Sequence, residues 1–347
     1  MASPSEPTPQ PASDEGPQSF AELGRTGSIA RRVLPWLVAL GAFAYIFATT
    51  DIERLLATAA SAEWGRFWFA AFGLYLMLFV VDAYGVYWVY RRHHVPGIRF
   101  ADVLPARGTS YLLGILNYAA GSAAMAFYFK RKFGVGVIEG GASLLLLMLV
   151  DLGIVISAVI IGGAMLPPEW AQWAVVIRFV GAAFALGVVA HIVFWRARWS
   201  WGPLEAIRNH PSFSGFRDAT VVDYLTLIVV RAPVTIMYVL LHVATLSAFH
   251  ISIPWARMLV YVPIQMFIAV VPISPSGLGT INVVQRYLYT PYAFDADGVQ
   301  LLGADAMAHI DAYALALSLA FNVPRVILGL LSLRAAQRAL ADASPRR

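Results

Sequence analysis

The sequence predicts an all-α, polytopic integral membrane protein with about six full transmembrane helices and two re-entrant helical hairpins in an inverted repeat. Three observations lead there. Of 347 residues, 59% are hydrophobic and only 13% charged, and mean hydropathy is +0.67, whereas soluble domains carry roughly a quarter charged residues. Stretches apolar enough to cross a bilayer recur along the chain. The basic residues gather in the links between those stretches.

Residues 1–28 are rich in Pro, Ser, Gln and Glu and hold no apolar run, so they read as a disordered cytoplasmic tail. A cleaved signal peptide would place an apolar run directly after a basic start. Here the first apolar stretch begins only at Val33, and it reads as an uncleaved span. A hydrocarbon core of ~30 Å needs about 20 apolar residues. Six stretches qualify: roughly 33–50, 67–90, 142–164, 172–195, 220–249 and 306–333. Two more, 103–129 and 256–290, are interrupted in their middles.

Charge decides how those two are read. Arg25, Arg31 and Arg32 precede the first span, which puts the N-terminus in the cytoplasm by the positive-inside rule. If 103–129 crossed the membrane once, Lys130, Arg131 and Lys132 would face outward, as would Arg196, Arg198, Arg208 and Arg217. If 103–129 dips in and returns, all of them are cytoplasmic. The segment 291–305 carries Asp295, Asp297 and Asp305 with no Lys or Arg, so it reads as external and 256–290 also returns to the side it entered. With both hairpins, 17 of the 25 basic residues are cytoplasmic, three are external and five lie in membrane segments. Both termini are then cytoplasmic. The transmembrane domain runs over 29–340, with repeats at about 64–166 and 219–335, followed by a basic tail, 341–347.

In that topology the two halves share an element order and have opposite orientations. Transporters built on inverted repeats place a midplane site at the repeat interface, and paired interrupted segments point to it. The second hairpin carries Pro272, Ser274, Pro275, Gly277 and Gly279, with Asn282 one turn on. Freed backbone survives in hydrocarbon only when it is buried in protein or lines a cavity, and half-helix N-termini there suit an anionic group. The alternative is an external loop between two short helices. The first hairpin's tip, Leu116–Ala124, holds Asn117 and Gly121 among small residues, which also fit plain tight packing.

Charges inside spans are costly and usually functional. Asp151 lies near the centre of 142–164. Arg231 lies near the middle of 220–249, with Asp223 eight residues earlier on a similar face, and Arg325 lies in 306–333, where it could snorkel toward the cytoplasm. Asp151, Arg231 and Arg325 either line a polar cavity for a charged headgroup or form ion pairs between spans. Metal and cofactors are not expected: there is no Cys, and His191, His242 and His309 lack ligand spacing. No phosphate-binding glycine loop or catalytic triad stands in an extramembrane segment, so an enzyme is the less favoured reading. The net charge of +5 lies between spans and implies no nucleic-acid partner.

On these residues the chain resembles the membrane domain of lysylphosphatidylglycerol synthase/flippase proteins and the stand-alone flippase-like family of the same fold, over about 30–335. The most specific piece is Pro272-Ile-Ser-Pro-Ser-Gly-Leu-Gly279; the hairpin with Asn117 and Gly121, then Lys130–Lys132, Phe133-Gly134, Asp151 and Arg325, is weaker. Two places depart from the family pattern. Asn282 stands where a glutamate usually follows the glycines, and Ala119–Ala123 stands where many members have a Pro-Gly tip followed by Glu and Arg. The resemblance implies a flippase or transporter of lipids or lipid-linked precursors in the cell (inner) membrane. Its partners would be membrane lipids, with an anionic headgroup or a lipid-linked glycan, and a homo-oligomer or an envelope-synthesis enzyme. The soluble aminoacyl-transferase domain is not expected here, nor is lysyl transfer. The alternatives are an integral-membrane transferase acting on lipid headgroups and a non-transporting scaffold.

Overall fold

A computed structural model describes residues 29–115, 118–165, 171–196, 202–210, 213–270, 274, 279–295 and 297–343. Among them the chain is helical, apart from isolated bridges joining Ile251 to Ala293 and Phe294 to Gln300. The helices are α1 (Ile29–Thr49), α2 (Ile52–Ser61), α3 (Trp64–His93), α4 (Phe100–Gly114), α5 (Tyr118–Phe133), α6 (Val137–Ala164) and α7 (Ala171–Arg196). Then follow α8 (Gly202–Asn209), α9 (Ser214–Arg217), α10 (Val221–Leu246), α11 (Trp255–Val270), α12 (Thr280–Tyr289) and α13 (Gly303–Ala343). Five are long and apolar enough to cross a membrane: α3, α6, α7, α10 (running on to Phe249) and α13. The first predicted span folds as α1, whose segment Leu40–Thr49 is a shorter apolar helix. This is a multi-pass, all-α membrane protein.

Local chemistry sets the boundaries. Asp51 caps α2 by accepting hydrogen bonds from the backbone N–H of Glu53 and Arg54, occupying donors that a first turn leaves unpaired. At α10, Thr220 and Asp223 form a reciprocal capping box. Asp223 also pairs with Arg92 of α3 at 3.0 Å.

Each interrupted stretch folds as two helices packed side by side. In the first, Lys132 Nζ near the end of α5 lies 2.8 Å from Asp102 Oδ1 near the start of α4. Closer to the break, Gly121 presses on the Ser110 carbonyl, where an added Cβ would sit 2.5 Å away. Contacts that pair early residues of α4 with late residues of α5 make this an antiparallel hairpin. The second is antiparallel too: Gln265 of α11 bonds Gln285 of α12, while Tyr261, a turn earlier on α11, packs its ring against Tyr289, a turn later on α12.

The long helices pair in a two-fold pattern. α3 packs on α10. The first arm of each hairpin packs on the last long helix of the other half, α4 on α13 and α11 on α6. Both crossings need glycine: a Cβ at Gly108 would overlap Ser332 of α13, and one at Gly162 would sit 2.8 Å from Val260 Cγ2 of α11. Small residues let helices approach closely where lipid supplies no hydrophobic drive. α7 packs on α6 at the periphery and buries none of its apolar window.

Candidate functional site

A cavity of about 390 Å³ opens between α3, α4, α6, α10, α11 and α13. Residues flanking both helix breaks line it: Gly114 and Gly121 from the first hairpin, Ala269, Ile281 and Asn282 from the second. Its polar side chains divide into a charged group and a neutral group.

The charged group is built on Arg231, only 4% exposed and near the middle of α10. Its Nε and Nη2 donate to the two carboxylate oxygens of Asp151 at 2.7 and 2.6 Å, and Nη1 donates to Asp82 Oδ1 at 2.6 Å. Asp82 also binds Arg107, with Nη2 at 2.5 Å from Oδ2, and accepts a bond from the Tyr111 hydroxyl. The network thus ties α3, α4, α6 and α10 together. Charges this deep persist because each has a bonded counter-charge; an unpaired one would be strongly destabilising. Gly85 makes the geometry fit, since a Cβ there would lie 2.6 Å from Arg231 Cδ and 2.7 Å from Nη1.

Arg325 differs from the other two arginines. Its Nε donates to the Tyr75 hydroxyl at 3.0 Å, and no carboxylate among the described residues lies within salt-bridge distance. Its side chain lines the cavity.

The neutral group is made of amides and hydroxyls. Gln265 Nε2 donates to the Tyr289 hydroxyl at 2.6 Å and the Tyr261 carbonyl at 3.0 Å, while its Oε1 accepts from Gln285 Nε2 at 2.6 Å. Asn282 Oδ1 accepts from the Gly279 N–H, and its Nδ2 donates to Ser318 Oγ, each at 3.2 Å. Asn322 donates Nδ2–H to the Ser318 carbonyl, and its buried Oδ1 has no hydrogen-bond partner among the described residues.

Of the residues singled out from sequence, Gly121, Asp151, Arg231, Asn282 and Arg325 line this cavity. Ser274 and Gly279 stand beside it: Ser274 Oγ lies 2.9 Å from Thr280 Oγ1, and Gly279 caps α12 at φ +77°, a backbone that glycine adopts without strain. Asn117, Pro272, Pro275 and Gly277 lie outside the described residues. The sequence reading missed Arg107, Tyr111, Tyr75, Gln265 and Asn322. Arg107 carried a usable signal, as an arginine inside an apolar stretch; the others are unremarkable by type.

A second polar cluster lies away from the cavity. His94, just past α3, places Nδ1 at 3.0 Å from Glu139 Oε1 and Nε2 at 2.6 Å from Ser143 Oγ. The order resembles a Ser-His-acid relay, but Ser143 is 2% exposed and Gly215 closes over its hydroxyl. A nucleophile needs reach to its substrate, so this cluster fastens the end of α3 to α6. Burial pushes the His94 imidazole below its ordinary pKa, and Glu139 opposes this in part. Among the described residues no group of His, Asp and Glu is placed to hold a metal ion.

Compared with known proteins, the chain matches the family model described as lysylphosphatidylglycerol synthase TM region over residues 32–319. No curated protein and no solved structure matches it significantly.

Proposed function

The chain belongs to the lysylphosphatidylglycerol synthase TM region family, and from that membership and the shared cavity we propose that it moves a lipid or lipid-linked precursor across the cell membrane. One observation carries the proposal. Residues beside both helix breaks line a single cavity that holds five charged side chains amid apolar helices. Polar groups at such depth are expensive and mark substrate pathways, and broken helices of paired repeats are where transporters bind.

In this reading both hairpins are re-entrant, the first opening to the cytoplasm and the second outward, with both termini cytoplasmic. The headgroup occupies the cavity while its acyl chains stay in lipid. Apolar neighbours such as Leu152, Met266 and Phe267 suit the junction between headgroup and chains. The two-fold exchange of hairpin arms between halves supports alternate exposure of the cavity, because movement of either half displaces a hairpin packed on the other.

The test is a headgroup-accessibility assay in proteoliposomes made with the full chain. Fluorescent phospholipid in the inner leaflet should become reducible by an external quencher faster than in protein-free vesicles. Equal rates across a panel of phospholipids and lipid-linked sugars would remove the transport reading and leave a transferase or a scaffold.

A further inference from the structure

The charged side chains that line the cavity do not balance. Among the described residues they are Asp82, Arg107, Asp151, Arg231 and Arg325, three guanidinium groups against two carboxylates. His242 is counted as neutral: its Nδ1–H is donated to the Tyr238 carbonyl at 2.8 Å, and a second proton on so buried a ring would be a charge with no carboxylate beside it among the described residues. The surplus can be assigned to one residue. Arg107 and Arg231 each bind a carboxylate at 2.5–2.6 Å, whereas among the described residues Arg325 is bonded only to the neutral hydroxyl of Tyr75.

An isolated guanidinium in a low-dielectric site is strongly destabilised unless an anion compensates it. Its planar fork matches phosphate oxygens two at a time. The terminal amino groups of Arg325 have no hydrogen bond among the described residues, so that fork is free to bind. Beside it, Tyr111 and Tyr238 line the same cavity.

We propose that the cavity selects a lipid headgroup with one net negative charge, a phosphodiester, and that Arg325 binds its phosphate. This names the substrate class for the translocation reading above and rests on it. One negative charge brings the loaded cavity to neutrality. A zwitterionic headgroup leaves the surplus of one positive charge, and a dianionic phosphomonoester reverses it. An aminoacylated headgroup with net positive charge adds to it, so such a lipid is excluded. The apolar walls argue for a lipid over a free phosphate ion.

The experiment is competitive lipid binding to the purified full chain in detergent micelles, read by native mass spectrometry. Four lipids with the same acyl chains are offered: phosphatidylglycerol, phosphatidylcholine, the lysyl ester of phosphatidylglycerol, and phosphatidic acid above pH 7, where it is close to −2. Phosphatidylglycerol should be preferred by about tenfold or more, as expected for a charge-assisted hydrogen-bonded contact. Arg325→Gln should reduce the preference to within about twofold. Arg325→Lys keeps the charge, loses the fork and should lie between; it serves also if the glutamine variant does not fold. Inorganic phosphate at millimolar concentration should leave the lipid preference unchanged. Equal binding of the four lipids, a preference that survives Arg325→Gln, or displacement of lipid by phosphate would each overturn the proposal. Binding and transport fail separately: selective binding without lipid movement removes only the translocation reading, and movement indifferent to headgroup charge removes only this one.

Discussion

Arg231→Gln gives the sharpest test of the charged network. The substitution removes two hydrogen bonds to Asp151 and one to the Asp82 carboxylate. Asp82 keeps Arg107 and the Tyr111 hydroxyl, so the main cost falls on Asp151, which has no other hydrogen-bonding side chain among the described residues. Breaking a buried pair from one side costs about 3–5 kcal/mol because a charge is left uncompensated. Asp151 is 29% exposed, which favours the lower end, about 3 kcal/mol. Asp151→Asn alone leaves Arg231 paired with Asp82 and loses charge-assisted bonds worth roughly 1.5–3 kcal/mol. The double variant holds no orphaned charge at position 151, so its loss should fall near that of Asp151→Asn, about 3 kcal/mol below the sum of the singles. The assay is the thermal unfolding midpoint in detergent micelles at one fixed scan rate, since unfolding of such chains is often irreversible. With about 2–4 °C per kcal/mol, Arg231→Gln should lower the midpoint by roughly 6–12 °C. Additive losses in the double variant, within about 0.5 kcal/mol, would refute the view that Arg231 and Asp151 stabilise each other.

Two further outcomes follow from the same geometry. Gly85→Ala places a methyl against the Arg231 side chain and should destabilise by about 1–3 kcal/mol, but by much less in an Arg231→Gln background; equal losses in both backgrounds, read as thermal midpoints, would show that the methyl strains something else. At His94 the folded-state pKa is depressed by burial, so below the ordinary histidine value of 6.5 the unfolded chain takes up a proton that the folded chain refuses. Stability contributed there is present above that pH and lost as pH falls; the midpoint should decline below pH 6.5 in the native chain and less steeply in His94→Gln, and identical slopes would contradict this account.

The long helices were legible because spanning a bilayer demands an unbroken apolar run, and few other structures do. The two interruptions were legible for the opposite reason: proline and glycine in apolar sequence leave backbone that must be accommodated somewhere. Asp151 and Arg231 stood out because a lone charge in such a run has no cheap explanation. Their bonding could not be read, since it depends on α3 lying against α10 with only a hydrogen at Gly85 between them. Residues eight apart share a rough face, but Asp223 sits in the first turn of α10, where capping Thr220 and pairing with Arg92 are within reach. Of the amide group Asn282 was legible beside the second break; that Gln265, Gln285 and Asn322 join it could not be read, because they are spread over three helices that only the tertiary fold brings together.

The two-fold packing of the backbone does not extend to the chemistry of the cavity. Its charged network is anchored in the first half, on α3, α4 and α6, with α10 contributing Arg231. The neutral amides belong to the second half, on α11, α12 and α13. Charged groups that bond one another this tightly are costly to separate, so the first hairpin's α4 arm is held to α3 through Arg107, Tyr111 and Asp82. The second hairpin is held by neutral hydrogen bonds, each worth about 1 kcal/mol net. That difference makes α11 and α12 the easier pair to displace. Arg325 stands at the junction, carried by α13 of the second half and bonded to Tyr75 of the first. A phosphate bound there would touch both halves, and any motion of one against the other would change its contacts.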